Sequence, residues 1–556
     1  MPMRSFLFLT AASLALAPAA FAQGAPREPV FSADEVRATV TFLADDLLEG
    51  RNAGTRGYDV AARYVATRFA ALGLKPGGTD GSWYQQVPLA EYVLDSSKPA
   101  SVTIGAKKFV NGAEVLISAS PRYGSSEQVV SGETVFVGYG MEADYAGLDV
   151  TGKFVVTLIG TPKGMTPEQV KAAGGSDKGP IAGKHGAAGV LYLITPDNLK
   201  GAFPWVQAMS YFARPQTKWL GPDGAPGGED AGIKIGAYLN PTAGTALFDG
   251  APMSAEQVYA AAAQPGAIKG FALKQKVTTA RTSTVKTYTS PNVIGLLPGS
   301  DPKLAPEHVV LSAHLDHDGV DPKLTGDQIY NGAMDNAAGV ATMLEAARAF
   351  QQSGKPPKRS ILFVALTAEE DGLLGSDYLA HYPVTGAGKV VADVNLDMPI
   401  LLYDFQDVVA FGAEHSTLGP IVEKAGAKMG VTLSPDPMPQ EQLFVRSDHY
   451  SFVKKGVPSV FLVTGFKNGG EKIFKDFLAT NYHKVSDQVT LPFNWDAGAK
   501  FARMNYLIAR EIADGKEAPL WYEGNTYGDR YAKDAPKAKR PATGIGAAAT
   551  EAPKAN

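Results

Sequence analysis

The chain is 556 residues long and carries 52 Lys+Arg against 56 Asp+Glu, a formal net charge of −4. Near-neutrality at that length excludes a protein held to nucleic acid by bulk phosphate attraction, and 45% hydrophobic with 19% charged residues excludes a disordered chain. Cysteine is absent, which removes disulfides, thiolate metal sites and Cys nucleophiles together. Any transition metal must therefore rest on carboxylates and the eight histidines.

The N-terminus reads as a targeting segment. Arg4 supplies a positive charge, residues 6–17 are apolar, and Ala20-Phe21-Ala22 is a small-x-small cleavage signal. This predicts a signal peptide over 1–22 and export, to the periplasm or out of the cell. An apolar run of about a dozen residues is too short to cross a bilayer, and no other segment is longer, so no membrane span is expected. From 31 to 74 the pattern is helical. Ser32-x-x-Glu35 reads as a capping box, and Val60, Tyr64, Val65, Phe69 and Leu72 recur at helical spacing until Gly73. From 95 to 286 short β-rich runs such as 133–138 and 153–159 alternate with Gly/Pro loops, and 219–232 is nearly all loop. A mostly β domain inserted into another domain is predicted, with 31–94 as that domain's N-terminal part.

A βα alternation follows over 287–515. Candidate strands at 309–313, 361–366, 391–396 and 458–463 are near-continuous apolar runs, as buried parallel or mixed strands are. Helical patterns lie between them, around Val340, Leu344 and Ala347 and over 501–512. A three-layer α/β/α domain with a mixed sheet is predicted. The stretch 532–556, rich in Ala, Pro and Lys, is predicted to be a disordered tail.

In open α/β sheets the reactive groups gather beyond the carboxyl ends of the strands. His314 and Asp316 follow the first strand, Glu369 and Glu370 the second, and Asp397 the third. Asp335 sits at the start of a helix, and His483 lies after the fourth strand. Alone, each has a bland reading: a surface pair, a solvated turn, an N-cap. Together they place unpaired acids at the ends of buried apolar strands, where they would repel and desolvate badly. Three carboxylates (Asp335, Glu370, Asp397) against two divalent ions and one hydroxide bring the charge to zero. One carboxylate must then bridge the metals. Ligation without thiolate suits Zn²⁺, with Mn²⁺ or Co²⁺ as options. Asp316 can reach the second ring nitrogen of His314 and fix its tautomer. Of the adjacent Glu369 and Glu370, one can hold metal while the other takes a proton from water.

The motifs Ala-His314-Leu-Asp316, Met-Asp335-Asn-Ala-Ala-Gly, Ala-Glu369-Glu370-x-Gly-Leu-Leu-Gly-Ser, Asn-Leu-Asp397-Met398 and Tyr482-His483 resemble metallopeptidase family twenty-eight, the co-catalytic dizinc aminopeptidases. Phe136-Val-Gly-Tyr-Gly and Gly152-Lys-Phe-Val-Val are similar to the protease-associated domain inserted in its bacterial members, as is the opening Leu48-Glu-Gly-Arg-x-Ala-Gly-Thr-Arg-Gly57. The resemblance implies two Zn²⁺ per chain. Asp335 would bridge them, His314 and Asp397 complete one site, and Glu370 and His483 the other. Glu369 would be the general base and Tyr482 an oxyanion donor. Met398, Asp448 and His449 would line the substrate site, with Pro399 replacing the family's usual Ile. The peptide bond between Asp335 and Asn336 would be cis. His317 is expected to face away from the site, and His185, His308, His381 and His415 to be surface or packing residues.

The reading is an exported zinc aminopeptidase removing N-terminal residues from peptides through a metal-bridged hydroxide. A glutaminyl cyclase would use one metal, a glutamate-type carboxypeptidase would need an Arg cluster, and a receptor-like scaffold would have lost ligands. A dipeptidase stays open. The expected partner is a peptide; nucleic acid is not, and no oligomeric state is assigned.

Overall fold

The structure is a computed structural model that describes residues 28–119, 127–165, 170, 178–201, 203–227, 232–545 and 547. The predicted leader at 1–22 lies outside the described residues. Its main sheet is built from β1 (Tyr84–Leu94), β2 (Gln216–Trp219), β3 (Val277–Leu297), β4 (Glu307–His314), β5 (Ser360–Leu366), β6 (Lys389–Leu396), β7 (Asp407–Phe411), β8 (Thr432–Ser434) and β9 (Ser459–Thr464), in the order β2-β1-β3-β5-β4-β6-β9-β7-β8. The four strands expected from their apolar runs are β4, β5, β6 and β9. They pair in parallel as β5-β4-β6-β9, flanked on both sides by antiparallel neighbours, so the sheet is mixed.

Alternation along β4 explains the continuous run. Val309, Leu311 and Ala313 join the core under helices α1 (Ala33–Leu43), α2 (Arg56–Ala71), α3 (Ala338–Gln352) and α7 (Trp495–Asp514), while Val310 faces a second core with Leu379 and Phe452. The remaining helices used below are α4 (Leu374–His381), α5 (Leu418–Ala427) and α6 (Gly470–Thr480). Helices on both faces give three layers and bury both faces of these strands. The expected capping box at Ser32 is half formed. The Ser32 side chain accepts from Glu35 N, but its own amide donates to Glu345, and Glu35 pairs with Arg68 instead.

The inserted segment has its own sheet, in which strands 134–136, 154–158, 189–193 and 235–239 run parallel. Short helices at 178–184, 196–200, 205–212, 241–247 and 255–262 accompany it, more helix than its Gly/Pro texture suggests. The junctions are also less clean than the 95–286 boundary. β2 leaves the insertion to pair with β1, and β3 is continuous, with 277–282 pairing inside the insertion and 283–297 in the main sheet.

The tail expectation requires correction for 532–545. Ala538 bridges to Tyr522, Lys537 Nζ donates to the carbonyls of Gly528 and Ala532, Arg540 donates to Glu414 O, and Ile545 packs on the main core. Main-chain acceptors, not an apolar periodicity, hold this stretch. The rest of the predicted tail, apart from Ala547, lies outside the described residues.

Candidate metal centre

Register brings the site together. His314 stands opposite Leu366 in the β4-β5 pair and Ser312 opposite Asn395 in β4-β6, so three strands end at one edge. There β4 delivers His314, β5 turns through Ala368 (φ 53°) into Glu369 and Glu370, and β6 turns into Asp397 and Met398 (φ 38°). Asp335 enters from the loop before α3. Asn336 ties that loop to β6, donating to Leu396 O at 2.9 Å and accepting from Gly339 N at 2.9 Å. A Cβ on Gly339 would stand 2.4 Å from Leu396 O, so only glycine allows α3 to start this close to the strand. The Asp335–Asn336 peptide is cis. His483 follows α6.

The two oxygens of Asp335 point to different partners. His314 Nε2 lies 3.2 Å from Asp335 Oδ1 and 3.0 Å from Asp397 Oδ1. His483 Nε2 lies 3.4 Å from Asp335 Oδ2 and 3.2 Å from Glu370 Oε2. A four-coordinate divalent ion with donors at about 2.0–2.1 Å sets those donors about 3.3 Å apart. The spacing therefore fits one ion on each side of Asp335. Donor atoms of His314, Asp335 and Glu370, and of Asp318, Glu370 and His483, also cluster within 4.8 Å.

Charge makes the same demand. Burial, with Glu370, Asp397 and Asp448 adding negative charge, pushes the Glu369 carboxyl well above the usual range. Burial and Asp335 do the same to Glu370. Burial works against protonating His314, yet Asp397, Glu369 and Asp335 hold its pKa well above the ordinary imidazole value. Burial likewise opposes His483, but Asp335 and Glu370 raise it to about 9. Divalent cations relieve this excess of buried carboxylate.

The surrounding residues differ from expectation in four places. Asp316 does not reach His314 with its carboxylate. Its backbone carbonyl takes His314 Nδ1–H at 3.2 Å, which leaves the Nε2 lone pair facing the centre. The Asp316 carboxylate instead accepts the amides of Glu369 (3.2 Å) and Glu370 (3.3 Å) and anchors both glutamates. His317 faces the centre, with Nδ1 2.7 Å from Glu370 Oε1. Asp448 and His449 do not line the cavity. They open a short helix whose first residues turn into the core, where His449 Nε2–H donates to Phe444 O at 2.6 Å and its ring packs on Phe461.

Three contributors were not assigned in advance. Ser447 donates to Asp397 Oδ2 at 2.6 Å, and Asp487 accepts the amides of Met334 and Asp335 at 2.9 Å. Asp318 Oδ2 stands 3.7 Å from His483 Nδ1. Ser447 directly precedes Asp448 and Asp487 follows His483 by four residues, so proximity to a motif was the available signal.

A cavity of about 260 Å³ opens on the cluster and is lined by His314, Asp335, Glu369, Asp397, Tyr482 and His483. Its far wall is apolar: Met398, Phe411, Phe461, Val463, Phe474 and Leu478. The Tyr482 ring lies 3.9 Å from that of His483, centroid to centroid. Burial and the nearby carboxylates raise its phenol above the ordinary value.

The sequence model of Peptidase family M28 matches residues 292–509. The probable leucine aminopeptidase 2 of Aspergillus oryzae (strain ATCC 42149 / RIB 40) is 28% identical over 221 residues, covering 36% of this chain and 40% of that protein. A probable zinc metalloprotease of Pyrenophora tritici-repentis (strain Pt-1C-BFP) is 45% identical over 67 residues, covering 12% of this chain and 15% of that protein. The chain thus spans less than half the length of these two curated relatives. Among solved structures, the aminopeptidase from Aneurinibacillus sp. strain AM-1 has a TM-score of 0.49 at 22% identity, covering 87% of this chain and 94% of that one. Residues 292–509, the part of the chain that resembles Peptidase family M28, carry all the ligand candidates.

Proposed function

We propose that this chain is an exported aminopeptidase that holds two zinc ions and removes large apolar residues from peptide N-termini. The observation that carries the reading is the division of Asp335, with one oxygen toward His314 and Asp397 and the other toward Glu370 and His483. The names its relatives carry support the same chemistry. The leader pattern at 1–22 supports export, and the motifs within 95–286 support a protease-associated insertion.

His314, Asp335, Glu370, Asp397 and His483 would hold the two ions, which would supply a water of lowered pKa and a Lewis acid for the scissile carbonyl. The rest falls to side chains. Glu369 lines the cavity with its backbone fixed by Asp316, and its raised pKa suits a group that takes a proton from water and returns it to the leaving amine. Tyr482 keeps its phenolic proton and donates it toward the carbonyl oxygen as charge grows there. The apolar wall receives the side chain of the first residue and excludes water. Against a glutamate-type carboxypeptidase, Arg446 is the single arginine among the described residues lining the cavity, and it stands 3.9 Å from Glu441. Against a one-metal cyclase or a ligand-free scaffold, all five ligand side chains are present.

A panel of aminoacyl-anilides, their N-acetylated counterparts and C-terminal reporters, assayed with metal content on the same sample, tests the proposal. Cleavage confined to free N-termini is expected. Equal cleavage of blocked substrates refutes it.

A further inference from the structure

The Leu48–Gly57 motif stands outside the cavity, yet it sends one arginine beneath the centre. Arg51 is 1% exposed. The chain reaches it through three consecutive left-handed residues, Glu49 (φ 50°), Gly50 (φ 65°) and Arg51 (φ 51°). Left-handed backbone is strained for a residue with a Cβ, and such outliers persist where the surroundings fix them. Gly50 must be glycine, because a Cβ there would stand 2.4 Å from Gly319 O.

The guanidinium spends its donors on neutral carbonyls. Nε donates to Leu315 O at 2.9 Å, Nη1 to Asn331 O at 2.6 Å and to Leu43 O, and Nη2 to Gly332 O at 3.0 Å. Leu315 lies directly after His314, and Asn331 and Gly332 lead into Asp335. One rigid fork thus joins the loop behind a ligand of one site to the loop before the bridging residue. Its charge faces Asp487, Asp316, Asp335 and Glu370 without touching a carboxylate. A lysine could not reproduce the span, since an ammonium is a point donor rather than a planar fork.

Resting on the dinuclear reading above, we propose that Arg51 is a positioning residue of the metal centre. It sets the spacing between His314 and Asp335, and through them the coordination geometry and metal affinity. The motif containing it is thereby the N-terminal segment's contribution to the site.

The test is Co²⁺ titration of chelator-stripped full-length protein, wild type against Arg51→Lys and Arg51→Met. It is read by the visible absorption of bound Co²⁺ and by the Tm with and without metal. The wild type should bind two ions. Arg51→Lys should bind 10–100-fold more weakly, the range for loss of an outer partner of a ligand, with an altered spectrum and a smaller Tm gain on metal binding. Arg51→Met should be weaker still. Variants that lose Tm equally with and without metal while keeping wild-type affinity and spectrum would overturn the proposal and leave Arg51 a packing residue. A wild type that binds no Co²⁺ would instead overturn the dinuclear reading. Should neither variant fold, Arg51→Gln carries the same readout, because it keeps a planar amide donor while removing the fork to Asn331 O and Gly332 O. Unchanged affinity there would refute the coupling of this segment to the centre.

Discussion

Filling the apolar cavity should collapse the discrimination between first residues. A 150 Å³ apolar cavity accepts benzene, so about 260 Å³ walled by Phe411, Phe461, Val463, Phe474 and Leu478 accepts a leucine or phenylalanine side chain. A leucyl substrate buries three more carbons than an alanyl one. At about 0.8 kcal/mol per carbon this is about 2.4 kcal/mol, or about 60-fold in kcat/KM. Leu478 stands on α6 and is partly exposed, so Leu478→Trp can enlarge into the cavity without rebuilding the core. The assay compares kcat/KM for leucyl- and alanyl-anilides on both proteins. The wild type should favour leucine by tens of fold, and the variant should lower that ratio at least tenfold while alanyl turnover persists. A wild-type ratio near one, or an unchanged ratio in the variant, would refute the assignment of this cavity to the first side chain.

Chelation should abolish activity, and plasma emission of the reloaded protein should count two ions per chain; a count of one after full loading would rule out the paired site. Glu369→Gln should keep both ions and substrate binding yet lose 10²-fold or more in kcat, whereas Glu370→Gln should weaken one metal site and recover in part at high metal; swapped phenotypes would reverse the two roles. His449 bears on acid stability. Burial pushes its imidazole down to about 3 from 6.5, so the stabilisation of its neutral form is fully present above pH 6.5 and is lost as pH falls toward 3. His449→Gln, which keeps a donor for Phe444 O, should move the acid-unfolding midpoint by circular dichroism to lower pH, and an unmoved midpoint would mean the ring is already protonated in the fold.

The sequence made the centre of the sheet legible because doubly buried strands are unbroken apolar runs, and the residues just past them are few. It was silent where a contact depends on direction in space. Nothing in the order Arg-Ser-Asp-His tells that Ser447 faces Asp397 while Asp448 and His449 turn inward. Nothing in Leu-Asp-His tells that Asp316 serves its neighbours by its carbonyl on one side and its carboxylate on the other. β3 escaped for a different reason. Residues 284–287 are exposed and, Val285 apart, polar, and Pro291 interrupts the run, so a single strand reads as two fragments. The segment 532–545 was misjudged because backbone carbonyls hold it, and composition does not register them.

That strand carries a mechanical consequence. β3 is 21 residues long, about 70 Å at about 3.3 Å per residue, and its two ends pair with different strands, one set inside the insertion and one in the main sheet. From Ser283 to Val293 every residue is matched to one on β1, and Val293 is then matched to Ala365, just ahead of the turn that presents Glu369. A hinge needs backbone torsions free to change, and a laddered strand has few. The inserted segment is therefore a cantilever on a continuous beam. A load placed on it would pass along one backbone into the strand paired with the one that leads to Glu369, rather than into a free hinge.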